Sequence, residues 1–173
     1  MRLLAVIGAL AIVVALGAAV YFFGGFYSVA ATEPESGPVA WALVKVRQAS
    51  INLHATDPAP ATLDDPALVR AGARAFAARG CVTCHGAPGA DYAKFAEGMR
   101  PDPPDLKDIV SDRAPAQLFW VAKNGIKMTG MPGFGAIGVA DAELWSIVAF
   151  LKKLPSVSEA DFKAWSEAAP GTR

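Results

Sequence analysis

The hydrophobic and polar positions fall into contrasting patterns along this chain. Residues 3–23 are apolar throughout, and no charge occurs between Arg2 and Glu33. As a helix, such a run is about 30 Å long, the thickness of a bilayer's hydrocarbon core. Arg2 precedes it and no Lys or Arg follows until Lys45, so the positive-inside rule predicts a cytoplasmic N-terminus and an exported remainder. Tyr21, Phe22, Phe23, Phe26 and Tyr27 at its far end have the composition of an interfacial aromatic belt. Residues 1–27 are therefore expected to be a transmembrane anchor. A cleaved signal peptide, with Ser28-Val29-Ala30 as the cleavage site, is the competing reading, although the run exceeds a usual signal core. Gly8, Ala11, Ala15 and Ala19 have the small-residue spacing of closely docked membrane helices, in a chain that is rich in alanine everywhere.

Beyond the anchor the pattern becomes helical and mixed. Residues 28–62 form a linker: a polar turn at 33–38, a short amphipathic helix over 39–53, then a segment broken by Pro58 and Pro60. That helix carries Trp41, Leu43, Val44, Ile51 and Leu53, with Lys45 and Arg47 able to face lipid headgroups. It is expected to lie on the membrane or on the following domain, or to dock a partner complex. His54 at its end is assigned no role. A first domain helix starts at Pro66 behind the capping Asp65 and runs to about Arg79, with Val69, Gly72, Ala73 and Phe76 on one face and Gly80 ending it. A second helix starts at Pro115 and includes Leu118, Phe119 and Val121. A third is expected to be capped by Asp141 and to run to Lys153, with Lys152 and Lys153 suiting the dipole and Pro155 stopping it. Residues 63–155 thus read as one small domain and 156–173 as a C-terminal tail.

Composition adds two constraints. The formal net charge is +0, which leaves no electrostatic footprint for nucleic acid. The chain has 2 cysteines and 2 histidines, and three of these four residues fall in Cys81-Val82-Thr83-Cys84-His85. Cys-x-x-Cys-His is the attachment pattern of c-type haem. Two thiols separated by two residues can each add to one vinyl group of a single haem, and the next residue brings an imidazole to the iron. Cys81, Cys84 and His85 are the residues expected to bind it. A thioredoxin-like pair does not need the adjacent histidine, and a zinc site lacks a second ligand pair. One motif predicts one covalent haem c per chain.

The order of parts resembles a class I cytochrome c: haem attachment near the start of a small helical domain and a methionine ligand nearer its end. Gly72 and Phe76 match that family's first helix, and Ile147-Val148-Ala149-Phe150-Leu151-Lys152-Lys153 its last, with Phe150 at the aromatic position. Gly130-Met131-Pro132-Gly133-Phe134-Gly135 is similar to its methionine loop. The resemblance implies an all-α fold, a small helical domain wrapped around one haem. It implies Met131 as the second axial ligand, with Met128 the alternative, since thioether sulfur favours ferrous iron. Gly133 stands where the family often has alanine and is expected to loosen the loop. The family fixes its haem histidine through a proline carbonyl in a Pro-x-Leu segment, which here is Pro104-Asp105-Leu106. Arg100, Arg113 and Trp120 are candidate donors to the haem propionates.

With both axial places filled, the iron suits electron transfer rather than catalysis, and no Ser/His/Asp or paired-carboxylate constellation stands out. The chain is expected to be a periplasmic electron-transfer protein on the bacterial inner membrane. It would be either a carrier or the fixed cytochrome subunit of an oxidoreductase complex. A quinol-oxidising complex or dehydrogenase would be the donor and a terminal oxidase the acceptor. Lys123 and Lys127, with Gly130, Pro132 and Phe134, are a candidate docking patch. A haem sensor with a displaceable sixth ligand is the alternative.

Overall fold

The computed structural model describes residues 1–33 and 37–167. The chain divides into two units, Met1–Glu35 and Ser36–Arg173. In the first, the uninterrupted apolar run forms α1 (Arg2–Phe23), which is long and apolar enough to cross a membrane. Tyr21, Phe22 and Tyr27 gather at its end, with ring centroids 5.2 to 6.1 Å apart.

Among the described residues of the second unit, the regular elements are all helices. Its helices are α2 (Gly37–His54), α3 (Pro66–Ala78), α4 (Cys81–His85), α5 (Leu106–Ile109), α6 (Pro115–Asn124), α7 (Asp141–Lys153) and α8 (Glu159–Ser166). Asp65 caps α3 by accepting from Ala67 N at 2.8 Å, and Pro66 occupies the first position, where its missing N–H costs nothing. The buried face of α3 is Val69, Gly72, Ala73 and Phe76, the predicted set.

That face packs on α7, whose Leu144, Ile147, Val148 and Phe150 are almost wholly buried. Gly72 permits the crossing: a Cβ there would sit 1.8 Å from Ser146 O. The Phe76 and Phe150 rings then meet at 5.3 Å. Burying each such side chain contributes about 1.5–3 kcal/mol. Arg79 and Glu143 close the outside of the crossing with two bonds, 2.7 and 2.9 Å. On the other side of α7, Trp145 stacks on Phe119 of α6 at 4.1 Å and 4°.

Several expectations are corrected. Asp141 does not cap α7: it is the first helical residue, and its carboxylate accepts from Lys123 at 2.8 Å. After Pro155, where a tail is predicted, Ser158 caps α8 and Phe162 is buried 5.7 Å from Phe150. Residues 168–173 of that tail lie outside the described residues. So do 34–36 of the expected turn at 33–38, while Gly37 and Pro38 already belong to α2.

The predicted linker helix is docked on the haem-motif domain. Ile51 of α2 is buried, Gln117 donates to Asn52 Oδ1 at 2.7 Å, and Arg113 donates to Gln48 Oε1. His54 lies over Trp120 at 6.0 Å.

Candidate haem-binding site

The site begins where α3 stops. Gly80 takes a left-handed conformation (φ 76) and turns the chain directly into α4. Three residues apart on this single turn, Cys81 and Cys84 project from one side as free thiols. Cys81 packs on the core cluster, and burial pushes its thiol up to about 11. A redox-active pair needs the opposite shift, towards thiolate. Among the described residues no three His, Cys, Asp or Glu side chains converge on a metal-sized point.

His85 is oriented by its neighbour in space. Its Nδ1 lies 2.9 Å from Pro104 O. A carbonyl only accepts, so Nδ1 carries the proton and the Nε2 lone pair is left for a metal. Pro104 is itself held by the start of α5, where Asp105 caps the helix by accepting from Lys107 N at 2.9 Å.

The second ligand segment follows α6. Gly125 (φ 68) reverses the chain, and a Cβ on it would lie within 2.6 to 2.7 Å of Gly133 N, Met131 O and Pro132 C. No other residue allows the loop to fold back so closely. Thr129 staples the loop: its hydroxyl donates to Ile126 O at 2.8 Å and accepts from Met131 N at 3.1 Å. Met131 is half-buried against the core cluster that also carries Cys81, Val82 and Leu106. Met128, the alternative, is 95% exposed.

Gly133 corrects the expectation of a loosened loop. Its Cα is pressed on the end of α6, where a Cβ would meet Asn124 O at 2.8 Å, so glycine here tightens the docking. Phe134 is buried and leaves the expected docking patch, in which Lys127, Gly130 and Pro132 are exposed. Lys123 is engaged: it pairs with Asp141 and lies 5.3 Å over the Phe119 ring.

The three propionate candidates are not brought together as one set. Arg100 is tied to Asp102 and to Met99 O. Arg113 and Trp120 share the seam with α2. Sequence reasoning missed Gln48, Asn52, His54, Thr129 and Lys152. Thr129 had a signal, since a threonine two residues before a loop ligand is placed to accept its N–H. Lys152, expected only to suit the helix dipole, donates to Val110 O at 2.8 Å and Arg113 O at 3.1 Å.

The donor set fits a c-type haem: two thiols on one turn, an imidazole whose Nδ1 donates to a backbone carbonyl, and a soft thioether on the same core. Fold and site define a class I c-type cytochrome domain, which binds haem c covalently and serves haem-based electron transfer. The family model that matches, over residues 67–151, is that of cytochrome c oxidase, cbb3-type, subunit III. No curated relative and no solved structure matches the chain.

Proposed function

We propose that this chain is a membrane-anchored, single-haem cytochrome on the periplasmic side of a bacterial inner membrane, held as a fixed subunit of a respiratory-type complex. Cys81 and Cys84 would hold the haem through thioethers, and His85 and Met131 would ligate its iron. When bound, the haem supplies a one-electron couple. The protein's part is to hold its two ligands in one place in both oxidation states. Pro104 O keeps the His85 ring from rotating, and the Thr129 staple with Gly125 keeps Met131 on the core. Arg113 and Trp120, which share the seam with α2, are the proposed donors to the haem propionates. Donor and acceptor are respiratory redox proteins, a quinol-oxidising complex or dehydrogenase on one side and a terminal oxidase on the other.

The observation that carries this reading is the His85–Pro104 bond beside two free thiols on one helical turn. The docking of α2 on α6 supports the fixed subunit over the carrier, because it leaves only residues 24–36 as tether. Optical spectroscopy of the purified full chain tests the ligands. The weak sulfur-to-iron charge-transfer band is expected to vanish in Met131→Ala and to survive in Met128→Ala. The reverse outcome overturns the assignment. Rapid, complete carbon monoxide binding by the ferrous wild type would favour a sensor with a displaceable ligand.

A further inference from the structure

Helix α2 is apolar on two opposite sides: one meets the domain at Ile51, with Trp41 and Val44 nearer its start exposed, and the other is uncovered. Ile51 faces the domain, with Gln48 and Asn52 bonded into the seam with α6. On the other side Leu43, Val46 and Leu53 are 50%, 67% and 73% exposed, with Ala42 and Ala49 exposed between them. Their spacing of three and four residues is that of one continuous stripe along a helix. A soluble protein does not ordinarily leave such a stripe in water.

The charges on α2 indicate what covers it. Between Gly37 and His54 there is no Asp or Glu, and the permanent charges are Lys45 and Arg47. At 100° per residue these two fall on opposite borders of the stripe. Long basic side chains so placed lay their methylenes beside an apolar face and hold their charge at headgroup level. Residues 24–36, which connect α1 to α2, reach at most about 45 Å when fully extended. Any bilayer spanned by α1 is therefore always within reach of α2.

We propose that α2 lies on the surface of an anionic phospholipid bilayer, with Leu43, Val46 and Leu53 at the acyl boundary and Lys45 and Arg47 among the phosphates. This rests on α1 being a retained anchor. Each basic side chain near an anionic surface strengthens such binding by about fivefold.

The test uses the full-length holoprotein in vesicles of phosphatidylethanolamine and phosphatidylglycerol, nitroxide-labelled in turn at Val14→Cys, Val46→Cys, Leu53→Cys and Ser111→Cys. Collision with oxygen reports lipid, and collision with a water-soluble nickel chelate reports water. The haem spectrum verifies that each variant is folded. Val46 and Leu53 are expected to be oxygen-rich like Val14, and Ser111 nickel-rich. Reversing both charges (K45E with R47E), or replacing phosphatidylglycerol by phosphatidylcholine, is expected to lower the oxygen-to-nickel ratio at Val46 several-fold. Val14 in lipid with Val46 in water would overturn the proposal and leave the anchor standing. Protection of Val46 from both reagents would also overturn it, since a protein surface would then cover the stripe. Val14 in water would remove the anchor and this inference together.

Discussion

At the scale of single residues, the methionine loop is held by contacts that can be removed one at a time. Thr129→Val keeps the shape of the side chain but deletes a donor and an acceptor, leaving Ile126 O and Met131 N without that partner. A lost pair of this kind costs about 1–3 kcal/mol. The loss should appear as earlier disappearance of the sulfur-to-iron band on heating, with Thr129→Ser close to wild type. Gly133→Ala, which the family pattern alone would rate as harmless, should destabilise the loop by about 1–3 kcal/mol, because the added methyl meets the Asn124 carbonyl. Thermal melts followed at the same band check it, and an unchanged or raised midpoint would refute the tight docking of this loop. The proposed attachment residues are legible because that chemistry is local: Cys81, Cys84 and His85 have to be close in sequence to meet one haem. Pro104 was legible through its motif, and the structure gives it the expected partner. The role of Gly133 was not, since it depends on the end of α6, a contact no spacing rule reveals.

At the scale of elements, the α3–α7 crossing organises the domain. Gly72→Val would push a branched side chain into the Ser146 backbone. Overpacking at such a contact costs about 1–3 kcal/mol, more where backbone must move, and chemical denaturation of the holoprotein should show at least that loss. The Arg79–Glu143 pair on the same crossing gives a pH signature. The Arg79 guanidinium bonded to it holds the Glu143 carboxyl below its ordinary range. A carboxyl lowered by folding stabilises the native state above its ordinary value, and that contribution fades as pH falls through the lowered one. Glu143→Gln should therefore be less stable than wild type at neutral pH by up to about 1 kcal/mol, since the pair is partly exposed. The two should converge in acid, and denaturant midpoints measured across that range check both sign and window. The face of α3 was readable because its apolar spacing is strong. Helix α8 was not: a short, polar segment buries one residue, Phe162, and its period is too brief to register. The α2–α6 seam escaped for another reason. Gln48, Asn52 and Gln117 join it by hydrogen bonds, and hydrophobic patterning does not mark polar contacts.

At the scale of the whole molecule, an anchor over 1–27 and a domain over 63–155 are expected from the sequence, and the chain divides between them, after Glu35 and within the expected linker. The linker helix is expected on the membrane or on the following domain, and α2 is bonded to Gln117 and Arg113 of that domain. Residues 24–36 are the sequence between α1 and α2. A fixed subunit would serve a neighbour in the same complex, whereas a carrier would travel to its partner. Lengthening the connection then separates the two modes of electron delivery. A Gly/Ser segment inserted after Ala31 should leave turnover in native membranes nearly unchanged if the domain is already docked on its complex. In a carrier that must travel, the insertion dilutes the domain about its targets and alters the rate, because effective concentration falls as roughly the −3/2 power of linker length. Mild detergent extraction supplies the independent measurement. A fixed subunit should leave the membrane with other chains in constant ratio, for the wild type and the lengthened variant alike. A haem protein that extracts alone, and whose turnover follows linker length, would be a tethered carrier.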